Sequence, residues 1–402
     1  MFTILFNNSD FVKGHLYKDV GALPNELTKE YCLTTHFVFL DSIYNEDVNT
    51  SYDNLHLVRL KNPQKKGLGI GSVVFRFFKT FNTPTFRFLI KSKKISHLMV
   101  FHISTDKIAL FGMYKLKNPK GRIYLKMDIN QQQINRYLNI LRKINIYSFL
   151  LKSMFKIISK QVSLISCETE NCFRIIRESE LGKLFGDKLH YITNGISEKE
   201  MFQLSIPVKR FREKENIILF SGYLGSAVKN VSMLLDALVT VNLRDWKVIL
   251  IGSTVKKDFD FLEKLSNFSK HFKDYSTKFF VKGYIEDRKE LMSYYNRSKC
   301  FILTSNYESF GLVLAEAAYF GNYIISTKVG AAEEITRDGE HGSLLDVGDT
   351  FQLACEMKKV IDGALDLERI SKQVHEYIKI KYTWESIAKN EAFQTFFKST
   401  DF

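Results

Sequence analysis

Short, continuous apolar runs recur along this chain, separated by helix-length stretches. In the first half they are 3–6, 36–40, 56–60, 97–102, 122–127, 162–166 and 189–193; in the second, 217–220, 247–251, 279–282, 301–303 and 323–326. Several are unbroken rather than alternating. That is the pattern of strands covered on both faces, the usual condition of a parallel sheet. Parallel neighbours need crossover connections, and the intervals supply them. Residues 134–160 read as one or two basic, amphipathic helices, and 231–239 as another. A polar, charged stretch, 207–216, separates the two series and reads as a linker. The expectation is an α/β chain with two Rossmann-like domains, 1–205 and 206–380, and ligands at the carboxyl ends of the strands. A length of 402 residues suits two domains.

Composition narrows the class. Apolar residues make up 45% of the chain, enough for real cores. No apolar run reaches the length of a spanning helix. Residues 1–6 enter a strand-like run directly, so no signal peptide is expected. Cys32, Cys167, Cys172, Cys300 and Cys355 are scattered and without zinc spacing, and read as core thiols of a reducing compartment. Charge is lopsided. Residues 1–205 carry 30 Lys and Arg against 17 Asp and Glu, whereas 206–402 carry 28 against 27, so nearly all of the +14 lies in the first half. Something acidic is expected to meet that half: anionic lipid, a lipid-pyrophosphate or nucleic acid. No nucleic-acid module is recognisable. The basic, aromatic stretch 65–96, with Phe75-Arg76-Phe77-Phe78-Lys79 and Phe86-Arg87-Phe88-Leu89-Ile90-Lys91, suggests together with 134–160 a surface for anionic membrane. The alternative is phenylalanines in the core and lysines in water.

The most informative local pattern is Ser305-Asn306-Tyr307-Glu308-Ser309-Phe310-Gly311-Leu312-Val313-Leu314-Ala315-Glu316, directly after an apolar strand. Glu308 lies in the loop and Glu316 on the following helix. At such a strand-to-helix turn, backbone N–H groups lack partners and the helix dipole adds positive charge, which suits a phosphate. A flanking carboxylate accepts hydrogen bonds from sugar or ribose hydroxyls. Together they ask for a nucleotide-sugar. A second phosphate candidate is Ser221-Gly222-Tyr223-Leu224-Gly225-Ser226-Ala227-Val228-Lys229-Asn230, where small residues admit a pyrophosphate and Lys229 neutralises it.

Residues 304–346 resemble the donor site of the retaining glycosyltransferases of family 4, which have the GT-B fold. The resemblance rests on the Glu308–Glu316 spacing around Phe310-Gly311-Leu312, on Gly330-Ala331-Ala332-Glu333-Glu334-Ile335, and on Asp338-Gly339-Glu340-His341-Gly342-Ser343-Leu344. It extends over 217–395 and, at fold level, over 1–205. It implies two Rossmann-like domains facing each other across a cleft, and a terminal helix, 381–402, crossing back to the first. By the same resemblance Glu316 binds ribose hydroxyls and Glu308 donor-sugar hydroxyls. Backbone groups of Phe310, Gly311 and Leu312 touch sugar and phosphate, and the turn Gly283-Tyr284-Ile285 holds the base. The family's usual Gly-Arg-Leu reads Gly222-Tyr223-Leu224 here, so a neutral hydroxyl replaces a bidentate guanidinium.

The first domain is less legible. Gly14 and His15 are candidates to line the cleft, and His102 ends one strand. Asp128 ends the next, near the slot where the family often has a histidine beside the sugar's 6-hydroxyl. Spacing two puts Lys126 on the face of Asp128, to pair with it or contact phosphate. The resemblance implies a retaining, metal-independent hexosyltransferase without cofactor, with Lys229, Glu308 and Asp128 at the reaction. Its donor is a nucleotide-sugar, UDP favoured over GDP. Its acceptor is a saccharide, lipid-linked by the charge argument, in polysaccharide or glycolipid assembly on the cytoplasmic membrane face. A protein acceptor and a non-catalytic binding subunit are the alternatives, and nucleic acid is not an expected partner.

Overall fold

The computed structural model describes residues 1–6, 13–41, 51–61, 80–81, 83–92, 94–254 and 259–398. The chain forms two compact units, Met1–Asn194 with Trp384–Phe402, and Gly195–Thr383. The first contains β1 (Phe2–Phe6), β2 (Thr35–Asp41), β3 (Ser51–Tyr52), β4 (Leu55–Lys61), β5 (His97–Phe101), β6 (Arg122–Lys126), β7 (Leu164–Cys167) and β8 (Leu189–Tyr191). Their spatial order is β3-β4-β2-β1-β5-β6-β7-β8, parallel except for the short β3–β4 pair. The second contains β9 (Glu215–Ser221), β10 (Lys247–Ile251), β11 (Phe279–Gly283), β12 (Ser298–Leu303), β13 (Tyr323–Thr327) and β14 (Gly342–Leu345), in the order β11-β10-β9-β12-β13-β14, all parallel.

Both sheets are buried on both faces, which is why their strands read as unbroken apolar runs. In β1, Phe2, Ile4 and Phe6 enter one core and Leu5 the other. In β9, Ile218 and Phe220 face one core while Ile217 and Leu219 face the other. The expected strands form, with ends shifted by up to three residues. Two were not anticipated. Ser51–Tyr52 is too short to carry a pattern, and Gly342–Leu345 begins within the Gly-rich stretch 338–344, whose glycines hide a strand. The basic 134–160 segment is two helices, Gln131–Leu141 and Ile146–Gln161, each started by an asparagine cap.

The change of unit falls at Asn194/Gly195, earlier than the polar stretch suggested. Ile196 and Met201 already pack in a core of the second unit. Inside the supposed linker Lys214 is buried, its ammonium donating to the carbonyls of Ser298 (2.9 Å) and Phe320 (2.6 Å). Charge had made this segment look solvated, whereas its lysine is tucked under the sheet. At the other end, the helix Glu391–Lys398 packs on the first unit. Phe393, Phe396 and Phe397 share a core with Phe2 and Tyr124, and Arg122 donates to the carbonyls of Thr395 (2.7 Å) and Phe396 (3.0 Å).

Of the stretch 65–96, residues 65–79, 82 and 93, including Phe75 to Lys79, lie outside the described residues. Within it, the helix Pro84–Lys91 turns Phe86 and Leu89 into the core, so that part follows the core reading rather than the membrane one. Cys32 is exposed, while Cys167, Cys172 and Cys300 are buried core thiols. Among the described residues no helix is long and apolar enough to cross a membrane.

Candidate functional site

In a parallel sheet every strand delivers its following loop to the same edge. In the second unit, the turns after β9, β10, β11, β12 and β13 therefore gather there, and hydrogen bonds tie them together. Gly222 N–H donates to Ile251 C=O (2.9 Å), Leu224 N–H to Ser253 C=O (3.0 Å), and Gly252 N–H to Gly283 C=O (2.8 Å). The approach of the first two turns requires glycine. A Cβ on Gly252 would stand 1.6 Å from the Gly222 carbonyl oxygen. The turn after β12 is stitched to the turn after β9 by Asn306 N–H to Val228 C=O (2.7 Å), Asn306 Nδ2 to Ala227 C=O (2.8 Å) and Thr304 Oγ1 to Lys229 C=O (3.0 Å).

These ties set the first of two charged pairs. Lys229 Nζ lies 2.5 Å from Glu308 Oε1, which also accepts from Ser305 Oγ at 2.6 Å. The Phe310-Gly311 turn follows, and the helix Leu312–Tyr319 starts at Gly311. Gly330, at φ +56°, holds the turn from behind. A Cβ there would meet the Phe310 carbonyl oxygen at 2.4 Å, and the next residue, Ala331, donates its N–H to the same carbonyl at 2.8 Å. Phe310 itself is buried, so its ring is not offered to a ligand.

The second pair involves a residue the sequence did not single out. Glu316 Oε1 lies 2.7 Å from Arg288 Nη1, and Arg288 Nε lies 2.9 Å from Glu200 Oε1. Burial opposes the guanidinium's charge, but Glu316 and Glu200 outweigh it and hold its pKa above the ordinary value. Burial raises the Glu200 carboxyl despite Arg288, and raises the Tyr295 hydroxyl, which also faces Glu316 and Ser221. Arg288 is placed by the helix Arg288–Arg297, whose cap Asp287 accepts from the N–H groups of Lys289 (2.7 Å) and Glu290 (3.3 Å). Gly283, Tyr284 and Ile285 form the turn just before it, with Tyr284 73% exposed. Tyr223 sits, partly buried, in the turn after β9.

In the first unit, His102 and Asp128 follow β5 and β6, which are adjacent. Both have positive φ (56° and 24°), and His102 Nε2 lies 3.7 Å from Asp128 Oδ2. Burial lowers the His102 pKa, and Lys107 and Lys126 lower it further. Lys126 is not available to a ligand. It is 0% exposed, bonded to Glu168 and 2.8 Å from Asp19 Oδ2, and the charge of Asp128 acts on it after those two. Burial opposes its charge, yet Asp19 and Glu168 reverse the effect and raise its pKa; the Glu168 carboxyl is raised by burial against the pull of Lys126. Gly14 and His15 lie in the turn Lys13–Tyr17, where the His15 ring packs 4.8 Å from that of Phe6.

Arg288, Glu200, Asp19 and Glu168 are thus the residues that sequence reasoning missed. None sits in a local pattern that marks its partner. Among the described residues, no group of three or more His, Cys, Asp and Glu side chains could hold a metal ion.

Comparison with known proteins adds three findings. Residues 202–377 match the family model described as Glycosyl transferases group 1. Over 109 residues the chain is 36% identical to a probable sucrose-phosphate synthase of Thermosipho melanesiensis, covering 26% of this chain and 25% of that protein. The chain spans about a quarter of the length of the curated relatives it matches first. Among solved structures, sucrose-phosphate synthase from Thermosynechococcus elongatus superposes with a TM-score of 0.73 at 16% identity, covering 99% of both chains. Anabaena HepE, solved in complex with UDP-glucose, gives 0.68 at 13% identity, also covering 99% of both. These likenesses establish the fold: two parallel-sheet, Rossmann-like units of the GT-B type.

Proposed function

We propose that this chain, whose residues 202–377 match the glycosyl transferases group 1 model, is a glycosyltransferase. It moves a hexosyl group from a nucleotide-sugar, a UDP-sugar ahead of a GDP-sugar, to a saccharide acceptor. The observation that carries the reading is the convergence of Lys229, Glu308 and the Phe310-Gly311 turn at the carboxyl edge of the second sheet. The UDP-glucose complex of the HepE neighbour supports it.

In this reading the donor diphosphate displaces Glu308 from Lys229. The ammonium and the first-turn N–H groups of Leu312–Tyr319 then stabilise the developing phosphate charge, and Glu308 turns to the sugar hydroxyls. Glu316, held by Arg288, accepts from the ribose hydroxyls, and the 283–285 turn meets the base. Transfer is retaining and needs no metal. The acceptor oxygen bonds to the anomeric carbon on the face the leaving group departs. The anomeric carbon–oxygen bond breaks with its electron pair going to the diphosphate, and the departing oxygen takes the acceptor's proton. Asp128 is assigned to the reaction, beside the sugar's 6-hydroxyl, and His102, Gly14 and His15 to the acceptor side. The excess positive charge of residues 1–205 favours a lipid-pyrophosphate-linked acceptor at the cytoplasmic face of a membrane.

Tyr223 favours a second reading, a non-catalytic subunit that binds a partner or an acceptor, because the usual guanidinium is absent from the diphosphate turn. One measurement separates the two: thermal stability against UDP-, GDP- and ADP-sugars. A ligand at 100 times its Kd adds about 2.7 kcal/mol. Stabilisation by one nucleotide class that disappears in Glu316→Ala supports the donor site. Indifference to every nucleotide-sugar sinks it in favour of the binding subunit.

A further inference from the structure

We infer that the first unit carries a docking face for an anionic lipid bilayer, formed by residues 142–145 and the outer side of the helix Ile146–Gln161. The helix is amphipathic in an unusual sense. Ser148, Leu151, Met154, Phe155, Ile158 and Ser159 are buried, which accounts for the inner side. The outer side ought then to be polar. Instead it exposes Ile146 (74%), Phe149 (65%), Leu150 and Ile157, with Ile144 and Tyr147 beside them. Ile146, Leu150 and Ile157, at intervals of four and seven, form one stripe. Isolated exposed apolar residues are ordinary, but a contiguous set on one helix marks an interaction surface.

Charge identifies the occupant. Arg136, Arg142, Lys143, Lys152, Lys156 and Lys160 are all exposed. Residues 129–167 contain no Asp or Glu at all. Among the described residues, the ion pair to one of these cations comes from a neighbouring helix, Glu180 lying 3.5 Å from Lys152. Cations alone would suit nucleic acid, whose affinity is dominated by phosphate contacts. Lysines bordering an exposed apolar stripe suit the headgroup–acyl boundary, where the stripe enters the chains and the cations meet lipid phosphate. The charges also fix the mode, since a helix with this many lysines lies along the surface rather than across it. The inference rests on the proposed function only for why a bilayer would be met, namely a lipid-linked acceptor. Binding itself does not depend on the donor site.

The test is co-sedimentation of the full chain with phosphatidylcholine vesicles, with and without phosphatidylglycerol, at low and raised salt. Binding to the anionic vesicles that weakens with salt is expected. Partitioning should fall about fivefold per cation lost in R142E/K143E, and also in I146S/F149S. Thermal transitions and nucleotide-sugar stabilisation equal to those of the parent show that both variants fold. Equal binding to uncharged vesicles, no binding to either, or indifference to both variants overturns the inference. So does salt-sensitive binding to duplex or single-stranded nucleic acid in a chain that ignores vesicles. Vesicle binding without any nucleotide-sugar response would leave this face standing and sink the donor reading, so the two fail separately.

Discussion

Arg288 and Glu316 form a 2.7 Å ion pair, and the same guanidinium holds Glu200 at 2.9 Å from its other edge. A carboxylate clamped in this way is pre-oriented, which is what the proposed role at the ribose hydroxyls asks of Glu316. Replacing Arg288 with Met removes the shared cation and leaves two poorly solvated carboxylates facing each other. A loss of ~3–5 kcal/mol is expected. Glu316→Gln keeps a hydrogen-bond acceptor for Arg288 and is expected to lose nucleotide-sugar affinity with a far smaller loss of stability. Denaturant unfolding and ligand titration of both variants check this. Equal destabilisation by both would mean that Glu316 is structural.

Lys229 and Glu308 are predicted to separate in kinetics. Lys229→Ala removes the cation assigned to the leaving group, so a drop in kcat of ~10²-fold or more is expected. Glu308→Gln loses the charge facing Lys229 but retains hydrogen-bonding capacity toward the sugar, and a smaller drop is expected. Steady-state rates with the nucleotide-sugar found by thermal stabilisation measure both. A Lys229→Ala variant with unchanged kcat would remove Lys229 from the reaction.

Gly330→Ala tests the support behind the Phe310-Gly311 turn. The added methyl would stand 2.4 Å from the Phe310 carbonyl oxygen, and φ +56° already disfavours a side chain. The Phe310-Gly311 turn must shift or the backbone must strain, by about 1–3 kcal/mol. Donor affinity is expected to fall together with thermal stability. Preserved affinity in the folded variant would show that the turn does not touch the donor.

His97 predicts an acid-sensitive C-terminus. Its ring packs against Phe396 and Phe397, and burial lowers its pKa from 6.5 to about 4. Between those values the unfolded chain binds the proton and the folded chain does not. The contribution is therefore complete above pH 6.5 and declines as pH falls toward 4. The protection factors of the helix Glu391–Lys398, with the intrinsic pH dependence of exchange divided out, should fall across that window, and His97→Leu should flatten the dependence. An unchanged slope in His97→Leu would place the acid sensitivity elsewhere.

The amino-acid sequence determined the strands and the local Glu308–Glu316 motif. Both cores press on every central strand, so Leu98 to Phe101 or Ile217 to Phe220 must be apolar on each face, and the run is readable without a partner. Glu308, Phe310, Gly311 and Glu316 belong to a single strand–turn–helix, so their spacing is local too. Tertiary structure decided which charges meet. Lys229 and Glu308 lie 79 positions apart and join only because β9 and β12 are neighbours. Arg288 reaches Glu200 across 88 positions. Lys126 shows where local reasoning stops. Alternation put it beside Asp128, but the strand ends at Lys126 and Asp128 has φ +24°. Its partners are Asp19, beyond the end of β1, and Glu168, beyond the end of β7. Strand order brings those loop ends together, and no spacing along the chain encodes it.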